Sequence, residues 1–176
     1  MDKEKKLLLA ESVRDFRLPR YSELPNVGLY LEQTTKYVGS FLEPLGCPEL
    51  TSSMVSNYVK KGLIPNPVRK QYYAEHLAYL FFVAIAKLLL SMENILVMQQ
   101  IQRASYPTQV AYDFMCADLE NLIFQVFGLK EPQEIPGITE SEEKDLFHGL
   151  LYAAAQVIFV NARLDAARED RGSDAK

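Results

Sequence analysis

The 176-residue chain has only two cysteines and two histidines, and each scarcity narrows the functions to be expected. Cys47 and Cys116 lie far apart, with neither a second thiol nor a histidine at zinc-ligand spacing, so no metal site is expected. Two buried thiols in a reducing compartment is the simplest reading, and a redox switch is the other. His76 and His148 fall in separate predicted helices, without a nucleophile and a third orienting group at a suggestive spacing, so no enzyme is expected. His76 should cap a helix start or lie on the surface. Glu142, Glu143 and Asp145 sit in the first turn of a predicted helix, where the helix dipole favours acidic residues without any catalytic reason. There is no Gly-rich phosphate loop, internal repeat or low-complexity tract, and no cofactor is expected.

Long apolar runs are also missing. The longest, Leu77 to Leu90, is interrupted by Lys87 and reads as a buried helix. The leucines near the N-terminus are too few, and too soon followed by charges, for a secretory signal. A cytoplasmic location is the expectation.

What is present is ample apolar material, 48% hydrophobic residues with 11% aromatic, and an uneven distribution of charge. Residues 1–91 carry 12 Lys/Arg against 9 Asp/Glu, whereas residues 92–176 carry 7 against 14, within a formal net charge of -4. A basic front half and an acidic back half suit different partners. Within the front half, residues 51–72 hold Lys60, Lys61, Arg69 and Lys70 and no carboxylate, the electrostatic footprint of a segment that meets phosphate.

Hydroxyls at Thr51, Ser52 and Ser53 offer N-caps for a helix over Met54 to Lys61, and Gly62 suits its C-terminal end. Pro65 and Pro67 stop that helix, and Val68 to Tyr73 can extend before Glu75 to Leu90 becomes helical. Further helices are predicted over Lys3 to Phe16, Leu29 to Leu42, Ser91 to about Ala104, Thr108 to Phe127 and Ser141 to Arg168. The amphipathic stripe expected in the helix over Thr108 to Phe127 is Val110, Phe114, Ala117, Leu119, Leu122, Ile123 and Val126. Residues 129–138 are a Pro-rich link, and Thr139 with Glu142 makes a capping-box signature. Strand signal is weak outside residues 63–72, so the fold class is all-α.

The run VSNYVKKGLIPNP, followed by QYYAEHLAYL and LSMENI, resembles the winged helix-turn-helix of the mercury-resistance regulator (MerR) family of bacterial transcription factors. Val55, Tyr58, Lys61, Gly62, Leu63, Pro65, Tyr72, Glu75, Leu77, Leu80, Ser91, Glu93 and Ile95 occupy the matching places, and the resemblance covers residues 20–98. The chain is similar also to bacterial proteins of unknown function that join this divergent module to a helical C-terminal region. The resemblance implies a recognition helix over residues 52–61 and a short basic wing over 63–72. It divides the chain into an N-terminal helix (1–19), a DNA-binding module (20–105), a helical dimerisation or effector region (106–169) and a fraying tail (170–176).

On that reading the protein is a transcriptional regulator that binds duplex DNA as a dimer. Ser53, Ser56 and Asn57 face base edges, with Asn57 placed to pair with adenine, and Lys60, Lys61, Arg69 and Lys70 contact phosphate. Tyr58 is expected either in the core or at a phosphate. The acidic C-terminal helices supply a homodimer interface and a place for a small-molecule effector. The alternative is a protein-interaction module that keeps the winged-helix shape without DNA binding. Its motives are the net negative charge, Ser56 where the family carries Arg, and the short wing.

Overall fold

The computed structural model describes residues 3–131 and 141–173, with side chains over 6–131 and 141–168. Seven α-helices and two single 3-10 turns make up the described residues, with no strand among them and two isolated antiparallel bridges, Leu29 with Tyr72 and Val68 with Gln71. The all-α expectation holds.

Helix α1 (Lys3–Ser12) is shorter than its leucine pattern predicts. Val13, Phe16 and Leu18 all turn into the core, and positions 16 and 18 lie on nearly opposite sides of a helix. A chain of turns over residues 13–16 lets all three point inward. The segment after it is stapled to a helix about a hundred residues away. The Arg20 guanidinium donates to both Glu120 carboxylate oxygens at 2.7 Å, and the Leu18 N–H donates to Glu120 Oε1 at 2.8 Å. The Tyr21 N–H donates to Asp113 Oδ1 at 2.7 Å.

Helices α2 (Leu31–Leu42) and α3 (Ser52–Lys60) pack together, joined through the 3-10 turn Glu43–Leu45 and Gly46, whose φ of 64° ends that turn in the left-handed region. Helix α2 begins two residues later than predicted because Leu29 is engaged in its bridge to Tyr72. Thr51 caps α3, its hydroxyl accepting from the Met54 N–H at 3.2 Å, and Gly62 takes the chain past the helix end at φ 78°.

Helix α4 (Ala74–Ala86) is buried on almost every side, ten of its thirteen residues lying in the core, because it passes between the α2 layer and helices α6 (Thr108–Val126) and α7 (Glu142–Ser173). That is the arrangement its all-round apolar sequence predicts. Helix α5 (Met92–Ser105) starts at Ser91, whose hydroxyl accepts from the Asn94 N–H. In α6 the buried residues are Tyr112, Met115, Cys116, Leu119, Leu122 and Ile123, while Val110 and Phe114, expected in the stripe, stand toward solvent.

Helix α7 is 32 residues long and runs on to Ser173, past its predicted end at Arg168 and into the segment expected to fray. Residues 142–168 are long and apolar enough, by length and composition alone, to cross a membrane. Yet Leu150, Leu151, Ala154, Ala155 and Ile158 are buried in the core, and Phe159 stacks edge-on against Phe127 of α6's end at 5.1 Å. The expected Thr139 cap lies outside the described residues. A single continuous hydrophobic cluster runs from Val13 to Ile158, so the front and back halves share one core.

Candidate nucleic-acid interface

Helix α3 turns Val55 and Tyr58 inward and leaves Ser53, Ser56, Asn57 and Lys60 exposed, with Lys61 exposed just beyond it. Tyr58 is 2% exposed and belongs to the core, so it leaves the set of candidate contacts. Burial raises its hydroxyl pKa, which accords with that position. Two of the remaining polar groups have partners of their own. The Ser56 hydroxyl donates to the Ser52 carbonyl at 2.9 Å, and the Asn57 amide lies 4.0 Å from the Met92 sulfur at the start of α5.

Residues 68–71 form the smallest possible hairpin. Val68 and Gln71 exchange N–H···O bonds of 3.0 and 2.9 Å across a two-residue loop, and that loop is Arg69 and Lys70. Their φ angles are 50° and 64°, the signs of a I′ hairpin turn, which normally selects Asn-Gly or Gly-Gly. A Cβ in this region meets the backbone, so two long basic residues sit at the tip at a steric cost. Among the described residues, none of Lys60, Lys61, Arg69 and Lys70 is in an ion pair, whereas Arg14, Arg17, Arg20 and Arg168 all are.

The hairpin is fixed at its base. Leu29 and Tyr72 exchange N–H···O bonds of 2.9 and 2.8 Å, tying it to the chain entering α2. Gly28 makes that approach possible, since a Cβ there would stand 2.7 Å from the Gln71 Cβ. The linking residues 63–67 are irregular and are held from behind. His76, buried near the start of α4, accepts from the Tyr73 N–H through Nδ1 at 3.0 Å, so its Nε2–H donates to the Asn66 carbonyl at 3.1 Å. His76 caps a helix as expected, but it does so from inside the core. Gln99 of α5 donates from Nε2 to the Leu63 carbonyl at 2.9 Å. Sequence reasoning missed Gly28, His76 as a brace, and Gln99. Only the glycine left a signal, standing just ahead of a predicted helix.

Cys116 is buried with its thiol donating to the Pro19 carbonyl at 3.7 Å, and Cys47 is partly buried. Burial pushes Cys47 up to about 11 and Cys116 to about 12, so both are protonated at neutral pH. His148 meets Asp118 at 2.8 Å between α7 and α6, and burial holds the Asp118 carboxyl above its ordinary range while the histidine draws it back. Among the described residues, no three His, Cys, Asp or Glu side chains gather as a metal site needs.

Fold and site define an all-α protein whose front half presents one basic helix end and one basic hairpin tip. The chain belongs to the family described as a domain of unknown function (DUF1836), whose pattern matches residues 19–115, more than half its length. The match ends within α6, leaving the second half of that helix and α7 beyond it. No curated protein and no solved structure matches the chain.

Proposed function

We propose that this protein is a cytoplasmic DNA-binding transcriptional regulator built on a winged helix-turn-helix. Helices α2 and α3 are its helix-turn-helix, and the hairpin 68–71 is its wing. The observation that carries this reading is the basic surface itself. Four exposed cations without ion-pair partners stand at the end of α3 and at the hairpin tip, in a chain of net charge -4. Helix α3 enters the major groove with Ser53, Ser56 and Asn57 toward the bases, while Lys60, Lys61, Arg69 and Lys70 neutralise phosphates.

A second copy doubles the contact area. Leu146, Ala153, Val157, Val160 and Leu164 of α7 follow the spacing of a coiled-coil seam outside the chain's own core, and Leu146, Val160 and Leu164 are about half exposed. An antiparallel pair of α7 helices buries that seam and sets the acidic first turn of one copy near Arg163 of the other.

Fluorescence anisotropy against a mixed-sequence duplex and against the DNA upstream of the protein's own gene, at two salt concentrations, tests the reading. Binding that weakens steeply with salt and is tighter for the upstream DNA is expected. Absence of binding to both at low salt refutes it and favours the second reading, a protein-interaction module. That reading draws on the partners already held by Ser56 and Asn57 and on the short wing. Recovery of a stoichiometric protein partner with no retained DNA supports it.

A further inference from the structure

Gln99 is 2% exposed, and its amide orientation is fixed because only Nε2 can donate to the Leu63 carbonyl. That leaves Oε1 buried and without a hydrogen-bond partner. Unpaired buried acceptors are uncommon in folded proteins and call for an explanation. Gln99 lines a half-open chamber of about 30 Å³ walled mainly by residues of α4 and α6. Gln102, Ala111 and Phe147 line that chamber and also a second one of about 130 Å³ between α5, α6 and the start of α7. The walls of the second chamber are mostly apolar. Val110 and Phe114 reach solvent there, and Glu143 and Lys144 complete its lining.

We infer that these adjoining chambers, separated by the shared Gln102, Ala111 and Phe147, together form a binding site for a small, uncharged, largely apolar aromatic molecule whose one O–H or N–H donor reaches the smaller chamber. The larger chamber approaches the roughly 150 Å³ that accommodates benzene in an apolar protein cavity. Its apolar lining favours a ring over a charged group. Gln99 Oε1 accepts only, so the guest must donate. The same amide holds the Leu63 carbonyl beside the end of α3, so a donor that engages Oε1 polarises the amide and tightens its grip on that carbonyl. The site stands apart from DNA recognition; only its use as a regulatory input rests on the proposed function.

Calorimetric titration of the full chain with phenol, indole, benzene and N-methylindole, in the absence of DNA, tests the site. Phenol and indole are expected to bind, with benzene and N-methylindole at least fivefold weaker. Binding of phenol should shift the Ile64 amide resonance, and Gln99→Met should abolish both the shift and the preference for phenol over benzene. Ala111→Leu, which narrows the wall shared by the chambers, should weaken every probe. Failure of all four compounds to bind overturns the site and leaves a water as the partner of Oε1. Equal affinity for phenol and benzene overturns the role of Gln99. Ligand binding without DNA binding leaves the site intact and removes only the regulatory reading.

Discussion

Replacing Arg69 and Lys70 together by Asn and Gly separates the two consequences of the hairpin tip, because it should stabilise the fold and weaken DNA binding at once. Each residue now adopts a positive φ that costs a non-glycine side chain about 1–2 kcal/mol. Asn tolerates the conformation and Gly removes the Cβ, but Gly returns roughly 0.5–1 kcal/mol through the entropy of the unfolded chain. The net expectation is a gain of about 1–2 kcal/mol, or a rise in Tm of roughly 2–8 °C for a chain of this size. The same change removes two candidate phosphate contacts. The slope of log K against log salt should therefore flatten by about 1.8, and affinity near 0.1 M salt should fall between about tenfold and a hundredfold. Thermal unfolding by circular dichroism reads the first effect, and anisotropy across a salt series reads the second. A Tm that stays level or falls would refute the strain argument. A raised Tm with an unchanged salt slope would show that the tip does not meet phosphate.

Glu120→Gln should lower stability by about 2–3 kcal/mol, since it leaves the partly buried Arg20 guanidinium without its carboxylate; urea unfolding measures it, and a change under 1 kcal/mol would mean the staple is dispensable. Gly28→Ala places a Cβ against Gln71 and should weaken DNA binding with helix content preserved, so unchanged affinity would remove the hairpin base from the site. Native protein should react slowly with iodoacetamide at pH 7.5 at both cysteines, because burial raises each thiol and little thiolate exists below pH 9; rapid labelling of Cys47 would restore the redox-switch reading. Val160→Glu with Leu164→Glu should turn a dimer into a monomer in sedimentation equilibrium while the circular dichroism spectrum is kept, and a persistent dimer would place the interface elsewhere.

The sequence disclosed most of the helices because capping residues and apolar periodicity are local. Thr51 and Ser91 both cap as their hydroxyls suggest, and the all-round apolar character of α4 corresponds to burial between layers. What it concealed depends on contacts distant along the chain. The segment after α1 turns Val13, Phe16 and Leu18 inward and is stapled through Arg20 and Leu18 to Glu120, a partner no periodicity reveals. In α6, Val110, Phe114 and Ala117 stand exposed although the spacing predicts them in the stripe, because helical spacing identifies apolar residues but not whether a neighbour covers each of them. The cations of the candidate site were legible as composition. Their presentation was not, since nothing in Arg69-Lys70 signals a left-handed turn that usually selects Asn or Gly.

That mismatch between residue and conformation bears on how an acidic chain can hold a basic surface in place. Residues 63–67 form neither helix nor ladder, and a loop of that kind stays rigid only when its backbone polar groups find partners. Here the partners are side chains from two other helices, His76 at the Asn66 carbonyl and Gln99 at the Leu63 carbonyl, with the Leu29–Tyr72 bridge closing the far end. All three braces grow from the shared core, which extends into the acidic back half. The hairpin and the loop before it are therefore held by groups of α4 and α5, helices that pack in turn against α6 and α7. A regulator needs such a path between an input and its basic surface, and an interaction module could use the same braces to present a fixed epitope. The two readings part at the cations: packing accounts for a rigid tip, and the proposed contact with phosphate would give its two unpaired charges a partner.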